Sequence, residues 1–181
     1  MTSDLWSSAS GTAFFQWYQW DGTVITNVSI PTISFTVGAL NTTLVYATTI
    51  DNSTLDYNSA ILHMNISARG QLPNTNITTT FTHENFFHAD SLANAGLVDP
   101  GLRLTYDSSV QVFTIEATSG VAVWTWIDYP AGVLLNFDKN GFLLLPGQPR
   151  EVGYTLKSDT TDGSWVEQVT VESLWNNTLA Y

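Results

Sequence analysis

The chain has 181 residues, 44% of them hydrophobic and 12% charged, and its net charge is −11. With only five basic side chains it is poorly suited to nucleic acid or to an anionic membrane surface, so we expect neither as a partner. The absence of cysteine excludes disulfides, thiolate metal sites and cysteine nucleophiles. The 23 aromatic residues (seven Trp, seven Tyr, nine Phe) are enough for a packed core.

The first half of the chain alternates short apolar runs with turn residues, which is typical of all-β folds. The dipeptide Asp21-Gly22 predicts a tight hairpin turn, and Pro31 predicts the end of the strand that returns from it. We predict strands at Ala13–Trp20, Thr23–Ile30, Thr32–Val37, Thr43–Thr49, Ala60–Ala68 and Thr75–Thr82. Residues 85–101 have no sustained alternation and end in Asp-Pro-Gly, so they predict a connector.

The second half has a cleaner strand pattern. The dipeptides Asn140-Gly141 and Asp162-Gly163 predict two tight hairpin turns, each between two strands. We predict strands at Leu102–Tyr106, Gln111–Ala117, Val121–Ile127, Val133–Phe137, Phe142–Leu145, Glu151–Lys157 and Trp165–Trp175. The predicted fold is therefore all-β, with two tandem immunoglobulin-like β-sandwiches. The predicted domains are residues 1–90, a linker over 91–101, and residues 102–181.

Five motifs of the second half follow one another in a characteristic order. They are Val123-Trp-Thr-Trp-Ile-Asp128, Pro130-Ala-Gly-Val133, Phe137-Asp-Lys-Asn-Gly-Phe-Leu-Leu-Leu145, Pro146-Gly-Gln-Pro-Arg-Glu-Val152 and Val171-Glu-Ser-Leu-Trp-Asn176. In order and spacing they resemble the C-terminal domain of fungal-type glycoside hydrolase family 2 β-mannosidases. The segment Phe14-Phe-Gln-Trp-Tyr-Gln-Trp-Asp-Gly22 resembles a strand and turn of the sandwich domain before it.

The resemblance implies a parent enzyme with five domains: a jelly roll, an immunoglobulin-like domain, a catalytic (β/α)8 barrel and two β-sandwiches. This chain resembles the last two, and Thr2–Trp6 resembles the middle of the first strand of the fourth domain. The parent would hydrolyse terminal β-D-mannose residues of oligosaccharides by a retaining mechanism. We therefore expect the chain to be inactive alone and to have the catalytic barrel as its partner. We also expect the first half to have an exposed sheet edge and apolar patches, and therefore to self-associate or to be less stable than the second half.

A retaining glycosidase needs two carboxyl groups about 5–5.5 Å apart. The family's acid/base glutamate follows an asparagine at the end of a barrel strand, and this chain contains no Asn-Glu dipeptide. The glutamates considered, which we expect to be surface charges, are Glu84, Glu116, Glu151, Glu167 and Glu172. We predict no catalytic residue in the chain, and we find neither a nucleophile elbow nor a phosphate-binding glycine loop.

Histidine is the remaining candidate metal ligand. His83 and His88 are five residues apart, whereas zinc proteases use histidines four residues apart on a helix. With His63 as the third histidine and no further ligand pattern, we predict no metal and no cofactor.

Six Asn-X-Ser/Thr motifs are candidate glycosylation sites, at Asn27, Asn41, Asn52, Asn65, Asn76 and Asn176. They predict a secreted glycoprotein. Residues 1–6 lack the cationic and apolar regions of a signal peptide, which indicates the tail of a longer secreted protein. No apolar run reaches the roughly 18 residues of a membrane span.

Aromatic side chains leave two interpretations open. Phe14, Trp17, Tyr18 and Trp20 lie on both faces of one predicted strand, and Trp124 and Trp126 share a face of another. Strands that are apolar on both faces are usually covered on both, so one face would meet a neighbouring domain. Exposed Trp can instead stack on sugar rings, which would make the chain a carbohydrate-binding module or lectin with an oligosaccharide partner. A cell-surface adhesion domain is a third possibility, supported by the glycosylation motifs alone.

Overall fold

The computed structural model describes residues 1–51 and 53–179. Within this range there is no α-helix, which confirms the all-β prediction. The strands are β1 (Ala9–Gln19), β2 (Ile33–Val37), β3 (Ala60–Gln71), β4 (Thr78–Phe87), β5 (Leu102–Asp107), β6 (Val112–Ala117), β7 (Ala122–Asp128), β8 (Val133–Phe137), β9 (Phe142–Leu144), β10 (Arg150–Asp159) and β11 (Thr170–Glu172). Short 3-10 helices span Leu92–Asn94, Ser164–Gln168 and Leu174–Thr178. The chain divides into a first unit, Met1–Gln19 with Thr23–Ala95, and a second unit, Trp20–Gly22 with the chain from Gly96 onward.

The first unit is built on one antiparallel sheet with the strand order β2-β1-β3-β4. Side chains alternate between the two faces of a strand, so Ala13, Phe15 and Trp17 of β1 share one face. Trp17 pairs with Leu62 of β3 in the ladder. This face carries the apolar core of the unit, and irregular segments cover part of it with Leu55, Ile25, Val28, Ile30, Ile50 and Tyr57.

Two strands predicted for the first unit do not form. After β1 the turn closes with Ile25 N–H donating to the Trp17 carbonyl at 2.9 Å, but the ladder ends there and Thr23–Ile30 is otherwise irregular. The segment Thr43–Thr49 is also irregular. Its β-branched and aromatic residues fit a pleated surface, but a strand requires a partner ladder and no described strand pairs with it. β4, by contrast, continues to Phe87, inside the predicted connector.

The second unit is a sandwich of two antiparallel sheets with the strand orders β5-β6-β10-β8 and β11-β7-β9. The core lies between the sheets. Both of them contribute buried side chains to it, among them Phe113, Ile115 and Val152 from one sheet and Ile127 and Leu144 from the other. This arrangement agrees with the predicted immunoglobulin-like sandwich.

The predicted strand Trp165–Trp175 is wrong over most of its length. Two 3-10 helices flank β11, which has only three residues. Gly163 precedes the first helix in the left-handed conformation, with φ of +84°. Trp165 and Val169 are both buried, but Glu167 between them is exposed, whereas a strand would place all three side chains on one face.

Candidate functional site

The outer face of β7 carries two exposed tryptophans, Trp124 and Trp126. We call these two residues, together with Asp128 and Glu172, the tryptophan surface. Trp124 and Trp126 are 53% and 55% exposed, whereas the intervening and flanking residues Thr125 and Ile127 are buried. Glu172 lies opposite Trp126 in the ladder between β11 and β7. The alternation of the sequence therefore places both indoles outside the sandwich.

Trp124 has an unusual backbone conformation. Its φ is +50°, a left-handed value that is strained for a bulky residue. The register of β7 against β9 shifts between Ala122 and Thr125, so the strained residue lies in an irregularity of the ladder. Strained residues persist where the surrounding structure holds them, and they cluster at functional positions. Trp124 is therefore the strongest local indication of function in the second unit.

Asn140 holds the edge of β7 beside Trp126. Its Oδ1 accepts from the Ile127 N–H at 2.9 Å, and its Nδ2 donates to the Ile127 carbonyl at 2.9 Å. The side chain thus replaces a strand residue in the ladder. Sequence analysis identified Asn140 only as part of a turn, because nothing in an Asn-Gly dipeptide reveals a long-range bond. A shallow cavity of about 350 Å³ next to it is lined in part by Trp126, Asp128, Tyr129 and Asn136.

The glutamates considered as catalytic candidates are distributed over both units. Glu84 is on β4 of the first unit, where its Oε1 lies 2.8 Å from Nε2 of His63. Glu116 of the second unit is directly opposite Arg103 in the ladder between β5 and β6. The other three, Glu151, Glu167 and Glu172, are exposed on β10, a 3-10 helix and β11. The arrangement provides no carboxylate pair in a shared cavity.

The histidines are also apart. His63 is buried and stacks on Phe86 at 4.9 Å, whereas His83 is exposed. Nδ1 of His88 lies 2.7 Å from the Asp90 carbonyl. Among residues 1–51 and 53–179, no three His, Asp, Glu or Cys side chains are placed to hold a metal ion. Over the same range, no helix has the length and apolar character needed to cross a membrane.

The side chains whose pKa values are shifted owe the shift to burial or to hydrogen bonds within the fold. Burial raises the pKa of Tyr154 to about 12, and its hydrogen bond with Tyr106 adds to the effect. Burial also raises the pKa of Tyr18. Hydrogen bonds donated within turns lower the pKa of the Asp51, Asp107 and Asp159 carboxyl groups. The hydrogen bonds to these three carboxyl groups come from residues of their own turns, so the shifts are explained by local turn structure.

The structure places most of the candidate glycosylation sites on the surface. Four of these asparagines are exposed: Asn27, Asn41, Asn65 and Asn76. Asn176 is half-buried, and its Oδ1 accepts from the backbone N–H of Ser173 at 2.8 Å. Asn52 lies outside the described residues.

Comparison with known proteins identifies relatives for both units. Residues 97–177 match the model of a mannosidase Ig-fold domain family. Over 99% of its length the chain is 50% identical to Beta-mannosidase A of Aspergillus flavus and of Aspergillus oryzae. Over 97% it is 45% identical to Beta-mannosidase A of Aspergillus niger. The chain spans only 20% or 19% of the length of these curated relatives.

Proposed function

Because residues 97–177 belong to the mannosidase Ig-fold domain family, we propose that the chain is a non-catalytic Ig-like part of a larger β-mannosidase. In this proposal the parent enzyme hydrolyses terminal β-D-mannose residues of oligosaccharides. The observation that carries it is the 50% identity to Beta-mannosidase A over 99% of the chain. The dispersed carboxylates support the same conclusion, because hydrolysis of a glycosidic bond needs two of them across one bond.

The role of the chain in the parent is to support the catalytic barrel. Its folded units offer β-sheet surfaces, and the five glutamates considered as catalytic candidates do not meet in a shared cavity, which suits a scaffold. The partner surfaces are then the exposed apolar groups, such as the half-exposed Phe87 on the edge strand β4.

Activity on an aryl β-mannoside tests this proposal. The 181-residue chain and the full parent polypeptide are assayed at equal molar concentration. We expect hydrolysis by the parent and none above buffer by the chain. Turnover by the purified chain would place the chemistry in these residues and overturn the scaffold role. A parent that is inactive on β-mannosides but active on another glycoside would overturn the substrate assignment.

Secretion and glycosylation form part of the same proposal. Four exposed asparagines in Asn-X-Ser/Thr motifs are accessible to a glycosyltransferase. We expect glycan on them when the parent is expressed through a fungal secretory pathway, and lower occupancy at the half-buried Asn176. Peptide mass spectrometry before and after deglycosylation measures the occupancy. Unmodified asparagine at all of these positions in secreted protein would contradict it.

Oligosaccharide binding at the tryptophan surface is the second candidate function. It is favoured by the two exposed indoles, one held in a strained backbone, beside carboxylate and amide groups that can accept hydroxyl hydrogen bonds. Titration with mannotriose should quench tryptophan fluorescence at millimolar concentration. The quenching should disappear in Trp126→Ala and remain in Trp6→Ala, which removes a 70% exposed indole from the first unit. No quenching, or equal loss in the two variants, would exclude this function.

A further inference from the structure

A polar cavity, called here the turn cavity, lies beside the turn that joins β3 and β4 in the first unit. Its volume is about 430 Å³, and volumes of about 300–1,000 Å³ are usual for small-molecule sites. Its lining includes Trp6 and the turn residues Gln71, Asn74, Thr75 and Asn76. Among the described residues, none that lines this cavity carries a charge. The lining therefore combines an aromatic ring with neutral polar groups, which suits a neutral ligand rich in hydroxyl groups.

Asn76 is both part of the cavity wall and a candidate glycosylation site. It begins the motif Asn76-Ile-Thr78, and it is exposed. Three other asparagines in such motifs are also exposed, but none of them lines the turn cavity: Asn27, Asn41 and Asn65. A glycan on Asn76 would therefore start at the wall of the cavity, whereas a glycan on any of the other three would start away from it.

Hydrogen bonds of the turn hold Asn76 beside the cavity. Gln71 donates from Nε2 to the Thr75 carbonyl and, at 3.4 Å, to Oδ1 of Asn76. A glycan is attached to Nδ2, so the bond that Oδ1 accepts is kept when the sugar is added. The Leu72 N–H donates to the Ile77 carbonyl at 2.9 Å, and the Ile77 N–H donates to the Thr75 hydroxyl at 3.1 Å. Both chain neighbours of Asn76 are therefore fixed by hydrogen bonds.

Trp6 supplies a flat surface on which a sugar ring can lie. Its side chain is 70% exposed. One face of a sugar ring consists of C–H groups, and packing this face on an indole removes apolar surface of both from water. A contact of this size is weak for a free sugar, because association costs translational and rotational freedom. A sugar linked to Asn76 is already held near the ring at a high effective concentration, which favours an attached glycan over a free oligosaccharide.

We infer that Asn76 carries an N-glycan whose first sugar, N-acetylglucosamine, lies in the turn cavity against the indole of Trp6. The side-chain amides of Gln71 and Asn74 are placed to exchange hydrogen bonds with its hydroxyl and N-acetyl groups. The sugar then bridges the segment before β1 and the turn between β3 and β4. This inference rests on the proposed glycosylation and adds which of the glycans the protein holds.

The attachment itself follows from the motif. A lipid-linked oligosaccharide diphosphate is the donor, and the bond from C1 of its first sugar to the diphosphate breaks. A bond forms between C1 and Nδ2 of Asn76, and one proton leaves Nδ2. The lipid diphosphate is the leaving group, so no oxidant or reductant is needed.

Glycan release from the native, secreted parent tests the inference. Peptide-N-glycosidase F cleaves between the first sugar and the asparagine and converts the asparagine to aspartate, so peptide mass spectrometry measures the rate at each site. The parent is compared with Trp6→Ala and with Trp6→Phe, which keeps an aromatic ring. The matched control is Trp126→Ala, which removes a 55% exposed indole from the second unit.

We expect release at Asn76 to be about two- to tenfold faster in Trp6→Ala than in the parent, because an aromatic contact that protects the linkage is lost. The rate should stay near that of the parent in Trp6→Phe and Trp126→Ala, and the rates at the other occupied asparagines should not change. Equal rates at Asn76 in the parent and Trp6→Ala would overturn the contact and leave the proposed glycosylation intact.

Occupancy separates this inference from the proposal on which it rests. An unmodified Asn76 in a parent that carries glycans on other asparagines would overturn the inference alone. Unmodified asparagine at every motif in secreted protein would refute the proposed glycosylation as well. Neither measurement depends on hydrolysis of a β-mannoside.

Oxidation of Trp6 gives a second readout that leaves the indole in place. Thr78→Ala removes the glycosylation motif and keeps Asn76. Hydroxyl-radical oxidation of Trp6 should be about twofold or more higher in Thr78→Ala than in the parent trimmed to one sugar by an endoglycosidase, because the sugar covers one of the two ring faces. Trp126 should be oxidised equally in both proteins. Equal oxidation of Trp6 would overturn the inference.

Discussion

The two units cover the apolar faces of their sheets in different ways. In the second unit, two sheets close over Phe113, whose ring centre lies 4.7 to 6.0 Å from those of Tyr106, Tyr154, Phe137 and Trp165. In the first unit, one sheet lies under irregular segments, and part of its apolar face remains as an open groove whose floor includes Leu62. The difference shows that apolar strands alone do not make a closed core, because the apolar face of a sheet is buried only when a second layer packs against it.

The largest test of this comparison is removal of one large side chain from each core. Phe113→Ala should lower the free energy of unfolding of the second unit by about 3–5 kcal/mol, because it leaves a cavity in a closed core. Leu62→Ala, at the groove floor, should cost the first unit only about 2 kcal/mol, at the low end for such substitutions. Urea unfolding of both variants measures this. Equal losses would mean that the first unit is as closely packed as the second.

The second test removes the hydrogen bonds between Asn140 and Ile127 of β7. Asn140→Ala removes both bonds to Ile127 and leaves a backbone donor and acceptor without this partner. We expect a loss of about 1–3 kcal/mol in the second unit. Asn136→Ala, at an exposed position of β8, is the control and should change stability little. If Asn140→Ala were equally mild, the side chain would not be part of the ladder.

Replacing the strained Trp124 is expected to stabilise the second unit. Trp124→Asn should raise the free energy of unfolding by about 1 kcal/mol, because asparagine tolerates the left-handed conformation better than tryptophan. Trp124→Ala should gain less, because alanine lacks the short polar side chain whose local hydrogen bonds let asparagine adopt this conformation. Thermal unfolding of the two variants separates backbone strain from loss of the indole. A clear loss of stability in Trp124→Asn would show that the exposed ring contributes packing.

The smallest expected effect is a change in pH dependence at Asp159. Hydrogen bonds from the Thr161 hydroxyl and backbone, and from the Gly163 N–H, lower the pKa of its carboxyl group in the folded state. Its stabilising contribution is complete above the ordinary Asp pKa of about 3.9 and is lost as pH falls through the lowered value. Asp159→Asn should therefore flatten the acid side of the stability curve of the second unit. Unchanged acid sensitivity would contradict this role.

Much of the second unit was predictable from the sequence. The strands around Phe113 and Val152 alternate cleanly. The predicted hairpin at Asn140 and Gly141 is wrong, because the strands before and after it, β8 and β9, lie in different sheets. Local periodicity failed around Trp165 and Val169, which are buried while Glu167 between them is exposed, so burial there does not follow the alternation of a strand. It also failed at Thr43–Thr49, whose residues favour a strand but have no ladder to join.

The sequence by itself determined the all-β class, the relationship to the fungal proteins and the lack of a cysteine or a positively charged surface. Those properties follow from composition, local periodicity and motif order, which need no three-dimensional information. Only the tertiary structure decided that Asn140 completes a ladder, that Trp124 is strained, and that Trp6 and Asn76 line one cavity. Each of these depends on which distant residues meet, and the pattern of a single strand does not contain that information.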